Sequence, residues 1–309
     1  MSRIVGAAPL GAGPEALLDV ACRVAEQGYL PPPEVTLAAR EAAGDVANVT
    51  PARVRAALEA VIMAPRLGEG LQWLHESGVL AHLLPELDAT VDFSQEAGRR
   101  HKDVWEHTKQ VVLQSPAKPI VRWSALLHDI GKVPTRVMLP DGRVTFHRHA
   151  EVGARMFDSV SRRLGFDREQ RQRIRFLILH HLRANAYEPG WTDAAVRRFD
   201  HEMGGCLDEL IELSRADVTS KRPGRRDEAS RNIEALLGRI LAIRELDARV
   251  PPLPPGLGNA IMESFQIPPS KRVGELRKIC EDAIERGELV EREAAEYYVS
   301  YLRKQGITS

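Results

Sequence analysis

The stretch 123–133, WSALLHDIGKV, decides how this chain is read. Trp123 to Leu127 is an apolar run suited to the interior of a helical protein, yet His128 and Asp129 follow directly on it. Gly131 and Lys132 then close the stretch. An ionised group taken out of water without a partner is strongly destabilising, so an imidazole and a carboxylate at the end of a core helix require compensation. The pair therefore predicts something cationic or hydrogen-bonding in the interior beside it.

Working outward, almost every segment has helical rather than strand periodicity. Helices are predicted over 103–114, 121–130, 149–164, 168–183, 192–202, 206–220 and 227–248. The exception is RVMLPDGRVTFH, 136–147, where Asp141-Gly142 sits between two short alternating runs and predicts a hairpin turn. Toward the N-terminus, helices are predicted over 15–29 and 34–43, separated by Pro31-Pro32-Pro33. Thr50-Pro51, a cap followed by proline at the first helical position, opens a helix through Met63, and a further helix covers 66–78. The segment 88–100 is polar and turn-like. Pro251, Pro252, Pro254 and Pro255 with Gly256 and Gly258 read as a linker, and 259–309 holds two or three amphipathic helices. The expected fold is all-α in three parts: a helical body at 14–95, a central bundle with one short hairpin at 96–250, and a helical tail at 251–309.

Composition narrows the function classes. The chain has 309 residues, 43% hydrophobic and 28% charged, which is ordinary for a globular protein. No run approaches the ~18 apolar residues of a membrane helix, and MSRIVGAAPLGAGPEALL lacks the form of a secretory signal. Cys22, Cys206 and Cys280 are widely spaced and contain no C-x-x-C, which argues against a disulfide framework or a thiolate zinc site. The expected location is the cytoplasm. Basic and acidic residues both number 43, so the whole chain exerts no electrostatic pull on nucleic acid. Arginines cluster at 162–175, with the spacing of solvated helix faces. A second cluster at 221–231 begins with Lys221 and Arg222, which follow a candidate site residue and are candidates for phosphate contact.

Seven groups are candidate ligands: His107, His128, Asp129, His149, His180, His181 and Asp217. Val104, His107 and Val111 share one helical face; His181 continues the stripe of Ile174, Leu177 and Ile178; Asp217 continues that of Leu210 and Leu213. A lone inward histidine is more often a hydrogen-bonded core residue, and a lone inward aspartate a satisfied structural acid. Seven of them would need seven separate compensations, whereas one or two divalent cations compensate them together. Nitrogen and oxygen donors without thiolate suit Mn, Fe, Ni, Co, Mg or Zn.

HDIGK, with an upstream helix-borne histidine and a distant downstream aspartate, resembles the HD superfamily of metal-dependent phosphohydrolases. The longer order H…HD…H…HH…D resembles HD proteins that bind two metals; the GYP motif of one such subfamily is absent. GRVTFHRHAEVGA (142–154), PEL (85–87), ADVTSK (216–221) and the tail VGELRKICEDAIERGELVEREAAEYYVSYL are similar to the C-terminal half of bacterial CCA-adding tRNA nucleotidyltransferases and poly(A) polymerases. The resemblance covers roughly residues 15–305 and is most specific over 101–221. The nucleotidyl-transferring head of that family has a Gly-rich turn and a paired-carboxylate strand. Neither pattern occurs here, so nucleotidyl transfer is not expected.

What the resemblance implies is a phosphohydrolase or phosphodiesterase acting on a small nucleotide-like phosphate ester, of the 2′,3′-cyclic nucleotide or nucleoside monophosphate type. His107, His128, Asp129 and Asp217 are expected to hold a first metal. His149 and His180, with His181 beside it, are expected to hold a second, with Asp129 as bridge and Lys132 contacting the phosphate as a point charge. The alternative is a non-catalytic RNA-binding remnant of such an enzyme. Residues 15–95 carry five arginines and no lysine against twelve acids, a balance that disfavours RNA binding by the body.

Overall fold

The computed structural model describes residues 13–93, 103–219, 224–248 and 251–306. It is all-α, with a single two-stranded hairpin among the described residues. In chain order the helices of the first part are α1 (Glu15–Gln27), α2 (Pro33–Ala42), α3 (Pro51–Met63), α4 (Leu67–Glu76), α5 (Val79–Leu83) and α6 (Pro85–Asp88). There follow α7 (Val104–Gln114), α8 (Pro119–Leu127) and α9 (Lys132–Thr135), the strands β1 (Val137–Met138) and β2 (Val144–Thr145), then α10 (His149–Arg163), α11 (Arg168–His180) and α12 (Asp193–Met203). The chain ends with α13 (Leu207–Asp217), α14 (Arg225–Ala248), α15 (Leu257–Phe265), α16 (Lys271–Glu285) and α17 (Ala295–Lys304).

Local chemistry sets several of these boundaries. Thr50, Asp103, Asp167 and Thr192 each accept a hydrogen bond from a backbone N–H in the first turn of the helix they precede, satisfying donors that have no intrahelical partner. Proline occupies the first position of α2, α3, α6 and α8. Gly28, at φ 64°, ends α1 two residues before the expected stop. The hairpin forms around Asp141-Gly142 as expected, with Val137 opposite Thr145 and Met138 opposite Val144.

The described residues divide into two compact units, Met1–Ile240 and Leu241–Ser309. In the first, α8 is the axis. Every side chain from Val121 to Leu127 is buried, and α3, α7, α11 and α13 pack around it. α1 lies on α3 and α4, and α4 in turn packs on α7, so the N-terminal helices share one unit with those of the candidate site. The expected body boundary near residue 95 falls in 94–102, outside the described residues. The second unit has its own core, in which Leu257, Ile261, Cys280, Tyr298 and Leu302 are all buried. Tyr298 completes it by donating its hydroxyl to the Val290 carbonyl at 2.7 Å. All three cysteines are free, as expected. No helix among the described residues is long and apolar enough to cross a membrane.

Candidate metal centre

α8 ends at Leu127, and the turn that follows places His128 and Asp129 at the bottom of the core, 1% and 2% exposed. Around Asp129 the ends of four further elements converge. On one side, His107 from α7 and Asp217 from the last position of α13 face His128. His107 Nε2 lies 3.2 Å from His128 Nε2, 3.4 Å from Asp129 Oδ2 and 3.0 Å from Asp217 Oδ1. On the other side, the second carboxylate oxygen of Asp129 lies 3.4 Å from His149 Nε2, at the start of α10, and 3.9 Å from His181 Nε2, just past the end of α11. The two histidine nitrogens are 3.3 Å apart. Asp129 thus divides its two oxygens between two donor sets, one of two imidazoles and two carboxylates, the other of two imidazoles and one carboxylate oxygen.

The orientation of the rings has one recurring cause. Nδ1–H of His128 donates to the Ala125 carbonyl at 2.8 Å, that of His149 to Phe146 at 2.9 Å, and that of His181 to Ile178 at 2.8 Å. Each acceptor lies three residues upstream. For His128 and His181 it is a carbonyl of a last helical turn, which lacks an intrahelical partner. Satisfying that carbonyl fixes the ring and turns Nε2 inward, the arrangement that orients histidines in metal sites. His107 is held differently, by Thr219, whose hydroxyl lies 3.0 Å from Nδ1.

Electrostatics separates the two sets. Burial opposes charge on His128, but Asp129 and Asp217 outweigh it and raise its pKa to about 10. Burial also opposes ionisation of both aspartates. His128, Lys132 and His107 nevertheless hold Asp129 well below the usual carboxylate range, and hydrogen bonds to His107 and His128 hold Asp217 below it. In the second set burial, together with the charge on His128, pushes His181 down to about 4, and burial lowers His149 as well. His149 and His181 are therefore neutral near pH 7, with their one proton committed to Nδ1. Their Nε2 lone pairs face each other at 3.3 Å with no proton between them. Two acceptors in that position call for a cation, and the third donor of the set is an ionised carboxylate. The residues present fit divalent ions bound by nitrogen and oxygen.

One expected ligand lies elsewhere. His180, expected with His149 at the second metal, is not part of either donor set. A helix turns about 100° per residue, so His180 and His181 cannot share a face. The buried stripe of Ile174, Leu177 and Ile178 leads to His181, while the His180 ring packs against Phe176 at 4.3 Å. Lys132 donates to Asp129 Oδ2 at 2.6 Å and is mostly buried. Lys221 and Arg222 lie outside the described residues. In the first arginine cluster, Arg163 pairs with Glu86, Arg175 with Asp158 and Arg173 with Glu169 and Glu209, so much of it is neutralised within the protein.

Residues 90–222 match the family model described as the HD domain. The chain carries an HD domain. The six clustered groups, His107, His128, Asp129, His149, His181 and Asp217, all lie inside the matched region. Residues 31–90 match a second model, described as the probable RNA and SrmB-binding site of polymerase A. Over 254 residues the chain is 32% identical to the A-adding tRNA nucleotidyltransferase of Deinococcus radiodurans, covering 80% of this chain and 57% of that protein. Over 257 residues it is 31% identical to the CC-adding tRNA nucleotidyltransferase of Thermus thermophilus, covering 81% and 56% respectively. A multifunctional CCA protein of Alkalilimnicola ehrlichii is 32% identical over 175 residues, 55% of this chain and 42% of that one. The chain is thus homologous to CCA-adding tRNA nucleotidyltransferases over about 80% of its length, and it spans little more than half the length of the first two relatives.

Thr219 and the carbonyls of Ala125, Phe146 and Ile178 were not among the site residues read from the sequence. The carbonyls carry no side-chain signature. Thr219 had one signal, its place in ADVTSK two residues after Asp217.

Proposed function

We propose that this chain is a metal-dependent phosphohydrolase that acts on a nucleotide-like phosphate ester. The observation that carries the reading is the division of the Asp129 carboxylate between two buried, inward-facing sets of nitrogen and oxygen donors. His107, His128, Asp129 and Asp217 would hold one ion, and Asp129, His149 and His181 a second. Divalent ions bound there would supply Lewis acidity toward a phosphoryl oxygen and toward water. The chain's own contribution is placement. Thr219 and the three backbone carbonyls aim the imidazoles, the helix ends exclude bulk water, and Lys132 carries a positive charge to the edge of the acidic centre, where phosphate oxygens would sit.

A second reading, recognition of RNA, draws support from the match at 31–90 and from relatives named for tRNA. The two readings are compatible if the phosphate ester is part of an RNA. The acidic balance of 15–95 gives that segment little general attraction to a phosphate backbone, so any such recognition would rest on a few placed contacts.

The test is metal analysis of the purified chain, followed by assays on 2′,3′-cyclic nucleotides, nucleoside monophosphates and simple phosphodiesters with several divalent ions. Turnover that needs a metal and disappears in Asp129→Asn, with melting retained, is the expected result. A metal-loaded chain that hydrolyses none of these esters with any ion would overturn the proposal.

A further inference from the structure

Beside the acidic centre lies a group of side chains that neither donor set uses. Phe146 lies just beyond β2, and its carbonyl accepts both the backbone N–H and Nδ1–H of His149, at 3.2 and 2.9 Å. Its ring stands 5.7 Å from Lys132 Nζ, the same nitrogen that donates to Asp129. A second ring, Phe93, lies 6.3 Å from Phe146 at a tilt of 54°, and the guanidinium of Arg136 covers Phe93 at 5.2 Å. Phe157 and Phe199 are sealed in the core, whereas Phe93 and Phe146 are only half-buried. Arg136 is exposed and pairs with no carboxylate among the described residues.

Half-open aromatic rings with a guanidinium beside them are the elements that stack on a nucleobase. Here they join the metal centre through Lys132, which touches the carboxylate on one side and the aromatic ring on the other. We propose that Phe93, Phe146 and Arg136 form a base-recognition wall for the site, so that its substrates are nucleoside phosphates with an unstacked base. The base lies against the exposed parts of the Phe93 and Phe146 rings and beside the Arg136 guanidinium, and the phosphate lies at Lys132. This rests on the phosphohydrolase reading for what happens to the phosphate, but the wall itself is a binding property that can be measured without turnover. The chemistry recognised is the same for a free mononucleotide and for the unpaired end of a strand.

Equilibrium binding of adenosine 5′-monophosphate and of ribose 5-phosphate, by calorimetry on the full metal-loaded chain, separates base from phosphate recognition. The expected result is that wild type prefers the nucleotide by on the order of tenfold or more. Phe93→Leu and Arg136→Gln should each remove most of that preference while metal content stays unchanged. Arg136 is exposed, so its variant keeps the test valid if Phe93→Leu fails to fold. Equal affinity for the two probes, no measurable binding of either, or an undiminished preference in Arg136→Gln would overturn the wall. A clear preference in a chain that hydrolyses no ester would uphold the wall and reject the phosphohydrolase reading alone. Repeating the titration with a short single-stranded oligonucleotide shows which source of the base is preferred.

Discussion

Gly131 lies so close to His149 that a β-carbon on the glycine would collide with the His149 carbonyl oxygen, and would stand 2.6 Å from the Gly153 nitrogen. The glycine of HDIGK is thus what lets the turn bearing His128 and Asp129 lie against the start of α10. Gly131→Ala must push the two apart, since neither contact is with a flexible side chain. The expected cost is about 1–3 kcal/mol from overpacking, together with reduced metal content as His149 retreats from Asp129. Melting and metal analysis check this, and an unchanged melting temperature would disprove the contact. Gly238 is the opposite case: it is exposed in the middle of α14, with open space where a β-carbon would go. Gly238→Ala should stabilise the chain by about 0.5–1 kcal/mol.

How far the sequence revealed the site depends on which atoms do the holding. The faces of α7, α11 and α13 could be read because helical periodicity ties His107, His181 and Asp217 to the apolar neighbours that bury them. The same periodicity excludes His180, and expecting it at the second metal together with its neighbour His181 set adjacency in sequence above direction around the helix. The Nδ1 contacts to Ala125, Phe146 and Ile178 were illegible because their acceptors are backbone carbonyls, present at every position and selected only by where a helix starts or stops. Arg122, inside the apolar run of α8, gave no sign of its role because its acceptors are again backbone carbonyls, one of them, that of Ile62, on a different helix far away in sequence.

That role yields a second expectation. Arg122 is 8% exposed and pairs with no carboxylate among the described residues; burial draws its pKa down. It donates from Nη1 to the Ile62 carbonyl at 2.6 Å, and from Nε and Nη2 to the Ser115 carbonyl at 3.4 and 3.3 Å. One guanidinium therefore ties the ends of α3 and α7 to the central helix. Arg122→Met keeps the stem but leaves both carbonyls without this donor, at about 1–3 kcal/mol for each that stays unsatisfied. Arg122→Lys should recover only part, because one ammonium cannot reproduce the fork. Equal melting of all three proteins would show that water replaces the guanidinium.

Thr219 is the side chain that fixes a proposed ligand ring from outside. Thr219→Val preserves shape while removing the partner of His107 Nδ1, so the ring is free to turn and its Nε2 is no longer aimed at Asp217 and His128. Loss of such an outer partner typically costs 10–100-fold in metal affinity or activity. The expectation is a loss of that size in affinity for the first ion, read by competition with a fluorescent chelator, with the fold intact. Thr219→Ser, which retains the hydroxyl, should bind nearly as wild type does. A valine variant with wild-type affinity would mean that Asp217 alone orients His107.

The sharpest contrast is between adjacent histidines. His181 faces His149 across the gap that calls for a cation, and His180 packs on Phe176 away from it. His181→Ala should lower metal content by about one ion per chain and reduce turnover by roughly 10²–10³-fold, the usual effect of removing one electrostatic stabiliser. His180→Ala should leave both near wild type. Chelation gives the matching stability test. Among the described residues, the carboxylates of Asp129 and Asp217 both face His107 and His128, and Asp129 faces Lys132 as well. Adding a divalent ion that binds the folded state alone should therefore raise the melting temperature with concentration, by about 2.7 kcal/mol of stability at a hundred times its dissociation constant. The rise should be smaller in His181→Ala, where one donor set is broken, and absent in Asp129→Asn, where both are. Wild-type protein that takes up a single ion, with His181→Ala taking up the same one and melting alike, would leave only the His107, His128, Asp129 and Asp217 set as a binding site.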